Sequence, residues 1–168
     1  MGRLQRIFRH RWVDEAATRR AIPPAMAQRL AERVAASERR HSGEVRIYVE
    51  AGLPLSSLWR DATARERAVA IFGKLGVWDT EQNNGVLIYL LLAEHAIEIV
   101  ADRGLDRHVG AAHWQALVQR MAGAFRARQY EEGLGQAIDE VTALLVRHFP
   151  LREGEANRNE LPDEPVLG

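Results

Sequence analysis

Two short stretches concentrate the oxygen-bearing side chains of this sequence. One reads Asp79-Thr80-Glu81-Gln82-Asn83-Asn84-Gly85, the other Asp102-Arg103-Gly104-Leu105-Asp106-Arg107. Between them lie two apolar runs separated by Glu94-His95. With that pair as a two-residue hairpin turn, Ala93 faces Ala96, Leu87 faces Asp102 and Gly85 faces Gly104. Asp79, Asn83, Asn84, Asp102 and Asp106 then gather at one end of a sheet. Open α/β sheets place ligands at such strand ends. Carboxylate and amide oxygens are hard ligands, suited to Ca²⁺ or Mg²⁺. The competing reading is local. Asn-Asn-Gly and Asp-Arg-Gly are also good turn sequences, because Asn, Asp and Gly tolerate left-handed backbone. Arg103 and Arg107 would neutralise part of the carboxylate charge.

No other catalytic arrangement stands out. There is no Gly-x-Ser-x-Gly elbow, His-Glu-x-x-His helix or Walker loop. The hydrolytic route left open is a metal held by the carboxylates, polarising a phosphoryl oxygen or activating water. Asp79 or Asp106 could then act as general base. His108 and His113 lie near the cluster in sequence, and either could serve as ligand or acid/base group. His95 falls in the expected turn. His41 and His148 fall at helix C-termini, where partial positive charge is favoured.

A third group is basic. Leu4, Ile7, Phe8 and Trp12 recur at helical spacing, with Arg3, Arg6, Arg9, His10 and Arg11 between them. Such an arm reads as a helix for a membrane surface or a partner. Packing of the same apolar residues on the chain's own domain is the alternative.

These residues need elements to position them. The chain has 168 residues, enough to bury a core without disulfides, and no cysteine to make one. It carries 23 Lys+Arg and 23 Asp+Glu. The neutral sum hides a gradient, with ten Arg against four acids up to His41 and two Arg against five acids after His148. Zero net charge and the lack of a groove-reading motif argue against a nucleic-acid partner. The basic N-terminus is not followed by an apolar stretch of roughly 7–15 residues, so a secretory signal is not expected. The longest apolar run, Gly85–Ala93, is too short to span a bilayer, and a cytoplasmic protein is expected.

Met26, Leu30 and Val34 mark a helix that starts at Pro23-Pro24 and ends near His41–Gly43. Glu44–Glu50 alternates as a strand with one better-buried face. A helix is expected over Ser57–Leu75, stopped by Gly76. Val86–Leu92 is apolar throughout, as in a strand covered on both faces. Ile97–Ala101 completes a β-hairpin over Val86–Ala101. Further helices are expected over Ala111–Ala127 and Tyr130–His148. A short extra strand near Leu53–Leu55 or Leu105–Val109 would also fit. Alternating strands and helices give an α/β layer fold. Three segments result: a basic arm over residues 1–22, an α/β domain over 23–150, and an acidic tail over 151–168. The tail is expected to be disordered, since it has too little apolar surface to offset its ordering entropy.

Four pieces resemble the TPM domain family of thylakoid lumen proteins, photosystem repair proteins, animal receptor modulators and many bacterial proteins. They are Ser42-Gly43-Glu44-Val45-Arg46-Ile47, Asn84-Gly85-Val86-Leu87-Ile88-Tyr89-Leu90, Asp102-Arg103-Gly104-Leu105 and Tyr130-Glu131-Glu132-Gly133-Leu134. Together they cover about residues 24–148. The chain looks like a small, unanchored bacterial member. The resemblance implies an α/β/α sandwich around a small mixed sheet. It also implies calcium binding or acid phosphatase activity, with the acidic cluster on Asp79, Asp102 and Asp106. Asn83, Asn84, Arg103 and His108 would line the same site. The chain departs from the family where a further carboxylate would fall on Gly110 or Ala111. Bacterial relatives often accompany LemA-like membrane proteins, which makes such a protein an expected partner by resemblance. The expectation is a binding module for a protein partner or membrane surface, with a weak metal-assisted acid phosphatase as the alternative.

Overall fold

The computed structural model describes residues 3–11 and 15–168, with side chains for 5–10 and from 16 onward. Two layers of helices enclose a four-stranded sheet. The strands are β1 (Val45–Glu50), β2 (Val86–Leu91), β3 (Ala96–Ala101) and β4 (Val166–Leu167), in the order β3-β2-β1-β4. β1 pairs in parallel with β2 and with β4, while β2 and β3 are antiparallel, so the sheet is mixed.

The continuous apolar run places β2 at the centre, buried at every residue. On one face, Val86, Ile88 and Leu90 join Ile47, Val49, Ile97 and Ile99. That face is covered by α3 (Pro24–Glu38), α7 (Ala111–Arg126) and α8 (Tyr130–His148), through residues such as Leu30, Leu117, Phe125 and Val141. On the other, Leu87, Tyr89 and Leu91 meet Leu58 and Ile71 from α4 (Leu55–Trp59) and α5 (Ala64–Lys74). Burying one such aliphatic side chain contributes about 1.5–3 kcal/mol. The result is the expected three-layer α/β/α sandwich, with the expected hairpin over Val86–Ala101.

The details differ from the sequence reading in four places. The hairpin turn has four residues, Leu92–His95, and His95 closes it with φ +49°. Leu91 therefore pairs with Ala96, and Leu87 faces Val100 rather than Asp102. Leu92 and Ala93 are buried, so the turn is anchored by apolar contacts instead of by a turn dipeptide. The register moves by two residues, an even number, so no side chain changes face.

The helix expected over Ser57–Leu75 is broken into α4 and α5. Asp61 between them has φ +54°. Thr63 starts α5 with a capping box: its Oγ1 accepts from Glu66 N–H at 3.1 Å, and Glu66 Oε2 accepts from Thr63 N–H at 2.7 Å. Leu55 and Leu105–Val109, considered for an extra strand, are helical, the latter within α6 (Arg103–Val109).

The tail is not a free coil. It returns to the sheet as β4, with Val166 opposite Tyr48 and Leu167 opposite Val49. Gly168 N–H donates to Val49 O at 2.9 Å, and Ala51 N–H donates to Gly168 O at 3.1 Å. Leu161 and Val166 pack on one core and Leu167 on the other. A few apolar residues set among charges suffice, because β1 supplies an otherwise open edge.

The N-terminal arm docks on the domain through α1 (Arg3–Arg11) and α2 (Glu15–Ala21), and Ile22 is fully buried behind them. Arg6 Nε donates to Glu94 Oε1 and Arg6 Nη1 to Asp61 Oδ1, both at 2.8 Å. His10 Nδ1 accepts from Leu53 N–H at 2.9 Å, which leaves Nε2 as the donor, 3.0 Å from Glu94 Oε1. Phe8 and Arg9 are exposed. Trp12 and the side chain of Arg3 lie outside the described residues.

Candidate functional site

The two polar stretches do meet, at the amino end of the parallel pair β1–β2. Asp102 N–H donates to Gly85 O and Gly104 N–H to Asn83 O, each at 2.8 Å. Gly104 is required there, because a Cβ would lie 2.3 Å from Asn83 O. Asn83 has φ +52°, and its Oδ1 accepts from Arg103 Nε and Nη2 at 3.3 and 3.2 Å. Asn84 is fully buried. Its N–H donates to Thr80 Oγ1 at 3.1 Å and its Nδ2 to Ser42 Oγ at 3.2 Å, tying the approach to β2 to the approach to β1. Most of this polarity is therefore spent on holding turns together.

The three expected carboxylates take different positions. Asp102 caps α6, its Oδ1 accepting from Arg103 N–H at 2.7 Å, while its buried Oδ2 has no hydrogen-bond partner. Asp106 Oδ1 accepts from Trp114 Nε1 at 3.0 Å and so ties α6 to α7. Asp79 lies on an exposed turn after α5. Among the described residues, no group of three His, Asp or Glu side chains is disposed to hold a metal ion. His108 stacks on His148 with ring centroids 4.7 Å apart and an interplanar angle of 10°, at the edge of Phe149. Burial lowers the pKa of His148, and the positive charges of His108 and Arg147 lower it further. His113 is exposed and meets Trp114 edge-on.

A second polar cluster at the same end of the sheet was not anticipated. Glu38, His41, Glu44 and Arg46 are all buried. Burial and the neighbouring Glu44 push the Glu38 carboxyl up to about 9. Burial also raises Glu44, whose Oε2 accepts from Leu161 N–H at 3.0 Å and whose Oε1 has no partner. Arg46 donates to the carbonyl oxygens of Pro162 and Glu164 in the tail. His41 is held down to about 4 by burial. Its neutral ring suits the contacts: Nδ1 donates to Gly43 O at 3.1 Å, and Nε2 accepts from Ser37 Oγ at 2.8 Å. The available signal was the polar face of β1, Glu44-Arg46-Tyr48-Glu50, which read as half-exposed because the tail that covers it is distant in sequence.

At the carboxyl end, Glu50 receives Arg67 in a bidentate pair and Tyr89 OH at 2.6 Å. Tyr48 stacks on Tyr89 at 6.1 Å. Burial and Glu50 raise the Tyr89 hydroxyl well above its ordinary range, so it stays a proton donor. Nearby, Glu94 is held down at about 2, first by its hydrogen bond with His10, with Arg6 adding to the effect. α1 is thus pinned over the carboxyl end of the sheet.

No helix among the described residues is long and apolar enough to cross a membrane. A comparison with curated proteins finds no match. Two solved structures share the fold. One is the NMR structure of the BA42 protein from the psychrophilic bacterium Bizionia argentinensis, at 22% identity and TM-score 0.73, covering 88% of this chain and 95% of that one. The other is the N-terminal domain of a protein from P. gingivalis, at 20% identity and TM-score 0.55, covering 77% of this chain and 81% of that one. At this level of identity the likeness shows the arrangement of elements. The family model for the TPM domain matches residues 17–144, from α2 to the last turns of α8, and the chain belongs to the TPM domain family.

Proposed function

We propose that this TPM domain is a binding module that engages a protein partner through the face formed by α1 and α4. The observation that carries this reading is the exposure of Phe8 (64%), Leu55 (47%) and Trp59 (65%) on these two adjacent helices. Leu55 and Trp59 are four residues apart and share one face of α4. Large apolar side chains grouped at the surface mark interaction sites, and aromatic residues dominate the energy of such sites. Arg9 and Arg60 are exposed on the same two segments and add positive charge. The family resemblance suggests a LemA-like membrane protein as that partner, with a cytoplasmic setting.

The test is calorimetry with the soluble part of a LemA-like protein from the same genome. Saturable binding that Phe8→Ser with Trp59→Ser removes, at unchanged thermal stability, is the expected result. Absence of binding by the unaltered chain would refute this partner. Flotation with anionic vesicles serves as the counter-test. Vesicle binding lost in Phe8→Asp and at high salt would assign the face to a membrane instead.

A second reading has its own observation, the unpartnered buried Oδ2 of Asp102. A Ca²⁺ or Mg²⁺ ion at Asp102, with Asp79 and Asp106 turned toward it, would supply the Lewis acid of a weak acid phosphatase. Arg103 on Asn83 and Trp114 on Asp106 compete with that arrangement. Titration of Ca²⁺ and Mg²⁺ against backbone amide shifts tests it. Saturable shifts confined to 79–85 and 102–109, with phosphomonoester turnover abolished by Asp102→Asn, support the enzyme. No shift at millimolar ion sinks it.

A further inference from the structure

Residues 157–168 run along β1 from its approach to its end. Asn157 Nδ2 donates to His41 O and Gly43 O at 3.2 and 3.1 Å. Leu161 N–H donates to Glu44 Oε2 at 3.0 Å, and Arg46 donates to the carbonyl oxygens of Pro162 and Glu164. Val166 and Leu167 then pair with Tyr48 and Val49, and Gly168 O accepts from Ala51 N–H. Without this cover β1 would present a row of unpaired N–H and C=O groups.

Apolar contact contributes little to the cover, since Leu161, Val166 and Leu167 are each half-exposed. Beneath it lie ionisable groups. Glu38 at the end of α3, Glu44 before β1 and Arg46 on β1 are all buried. Glu38 and Asp163 line a cavity of about 390 Å³ between α3 and the tail, with Arg39 and Glu155 also on its walls. Glu44 Oε1 and Asp163 Oδ1 are buried without a hydrogen-bond partner. Glu38 faces Glu44 and Asp163, Glu44 also faces Glu160, and Arg46 faces Glu38, Asp163 and Glu164. The neutral ring of His41 is turned to Ser37 and Gly43.

Proton count decides the balance across this contact. With Glu38 and Glu44 protonated, Asp163 and Arg46 face each other as opposite charges. With both protons lost, three carboxylates share one buried guanidinium, and repulsion acts between the tail and the body of the domain. Lifting the tail admits water, which relieves desolvation and repulsion together. The docked state therefore holds these protons more tightly than the released state, and rising pH favours release.

We propose that residues 157–168 form a pH-released strap: proton loss from the buried carboxyls of Glu38 and Glu44 sets them against Asp163 and frees the tail from the edge of β1 while the rest of the domain stays folded. The strap shares no residue with the apolar face of Phe8, Leu55 and Trp59 or with the Asp102 cluster.

The experiment follows methyl spectra of the isotope-labelled full chain from pH 6 to pH 10, with a synthetic peptide of residues 157–168 as the free-tail reference. The methyl signals of Leu161, Val166 and Leu167 are expected to move to the peptide positions as pH rises toward 9. The free fraction is expected to grow by up to about tenfold per pH unit for each proton lost. The methyl signals of Ile88 and Leu117 in the core are expected to stay in place. Carboxyl carbon shifts are expected to show Glu38 titrating in the same range. Glu38→Gln, which keeps an acceptor for Val45 N–H, is expected to hold the tail docked at pH 9. Asp163→Asn alters only the half-exposed tail, leaves the core intact and is expected to move release to higher pH. The proposal is overturned by tail methyls that keep their docked positions to pH 10, by the same transition in Glu38→Gln, or by core methyls that move together with the tail.

Discussion

The buried carboxyl of Glu38, at the last residue of α3, accepts a hydrogen bond from the backbone N–H of Val45 at 2.8 Å and so holds the first residue of β1. Glu44, the residue just before that strand, is fully buried beside it with one oxygen unpartnered. Asp163 of the tail adds a third carboxyl to the same surroundings. Three acids packed around one strand start, with Arg46 as the nearby cation, make this end of the domain sensitive to proton binding.

Glu38 is raised to about 9 in the folded chain against an ordinary 4.5. The folded state therefore binds more protons than the unfolded state between those values. Stability from this group is complete below pH 4.5 and declines as pH rises toward 9. Glu38→Gln keeps an acceptor for Val45 N–H and removes the ionisation. Urea denaturation is expected to find the variant more stable than the parent at pH 8 by roughly 3 kcal/mol, with little difference at pH 4.5. An equal effect at both pH values would place the cause elsewhere.

His41 has the opposite slope. Its folded pKa is about 4 against 6.5 in the unfolded chain. Stability is complete above pH 6.5 and falls as pH drops toward 4, by on the order of 3 kcal/mol. Histidine ring NMR should show His41 remaining neutral at pH 5. Between pH 4.5 and 6.5 its slope opposes that of Glu38.

The clamp on α1 depends on Glu94. Its pKa is depressed to about 2, so its contribution is present above 4.5 and lost as pH falls toward 2. Glu94→Gln is expected to cost about 1–2 kcal/mol after allowance for solvent screening. Hydrogen exchange should locate the change: amides of residues 5–10 exchange faster in the variant, while those of β2 keep their protection. Unchanged exchange in α1 would show that apolar packing alone seats the arm.

Gly104 offers a steric test of the turn-based reading of the polar end. A methyl group there would lie 2.3 Å from Asn83 O and 2.6 Å from Gln82 O, both backbone atoms that cannot swing away. Gly104→Ala is expected to cost roughly 1–3 kcal/mol. Asp102→Ala, which removes only the cap of α6, is expected to cost about 1 kcal/mol. Thermal melts of the two variants compare them directly. A Gly104→Ala chain as stable as the parent would mean that the two turns are not in contact.

Much of the architecture is legible in local patterns. The unbroken apolar run of Val86–Leu91 announces a strand with two covered faces. Leu117, Met121 and Phe125, or Leu134, Ile138, Val141 and Leu145, announce helices with one buried face. Pro24 and the capping sequence Thr63-x-x-Glu66 mark helix starts, although the second signal is easily overlooked inside a longer periodic stretch. These features depend on residues within one or two turns of each other, and neighbouring side chains supply the physics.

The remaining features depend on residues far apart in sequence. Whether Leu92-Ala93 turns or continues as strand depends on burial against the rest of the domain, and that sets the hairpin register. The charged tail becomes a strand only because β1 presents an open edge and Arg46 binds its carbonyls. Glu38 keeps its proton only because α3, the tail and Glu44 close around it and exclude water. Sequence alone determined the long helices α3, α7 and α8, the strands β1–β3 and their apolar faces, since periodicity and apolar area are properties of the chain itself. Tertiary structure decided the registers, the protonation states and the convergence of charges, because each is set by the desolvation and proximity of groups that the chain brings together only on folding.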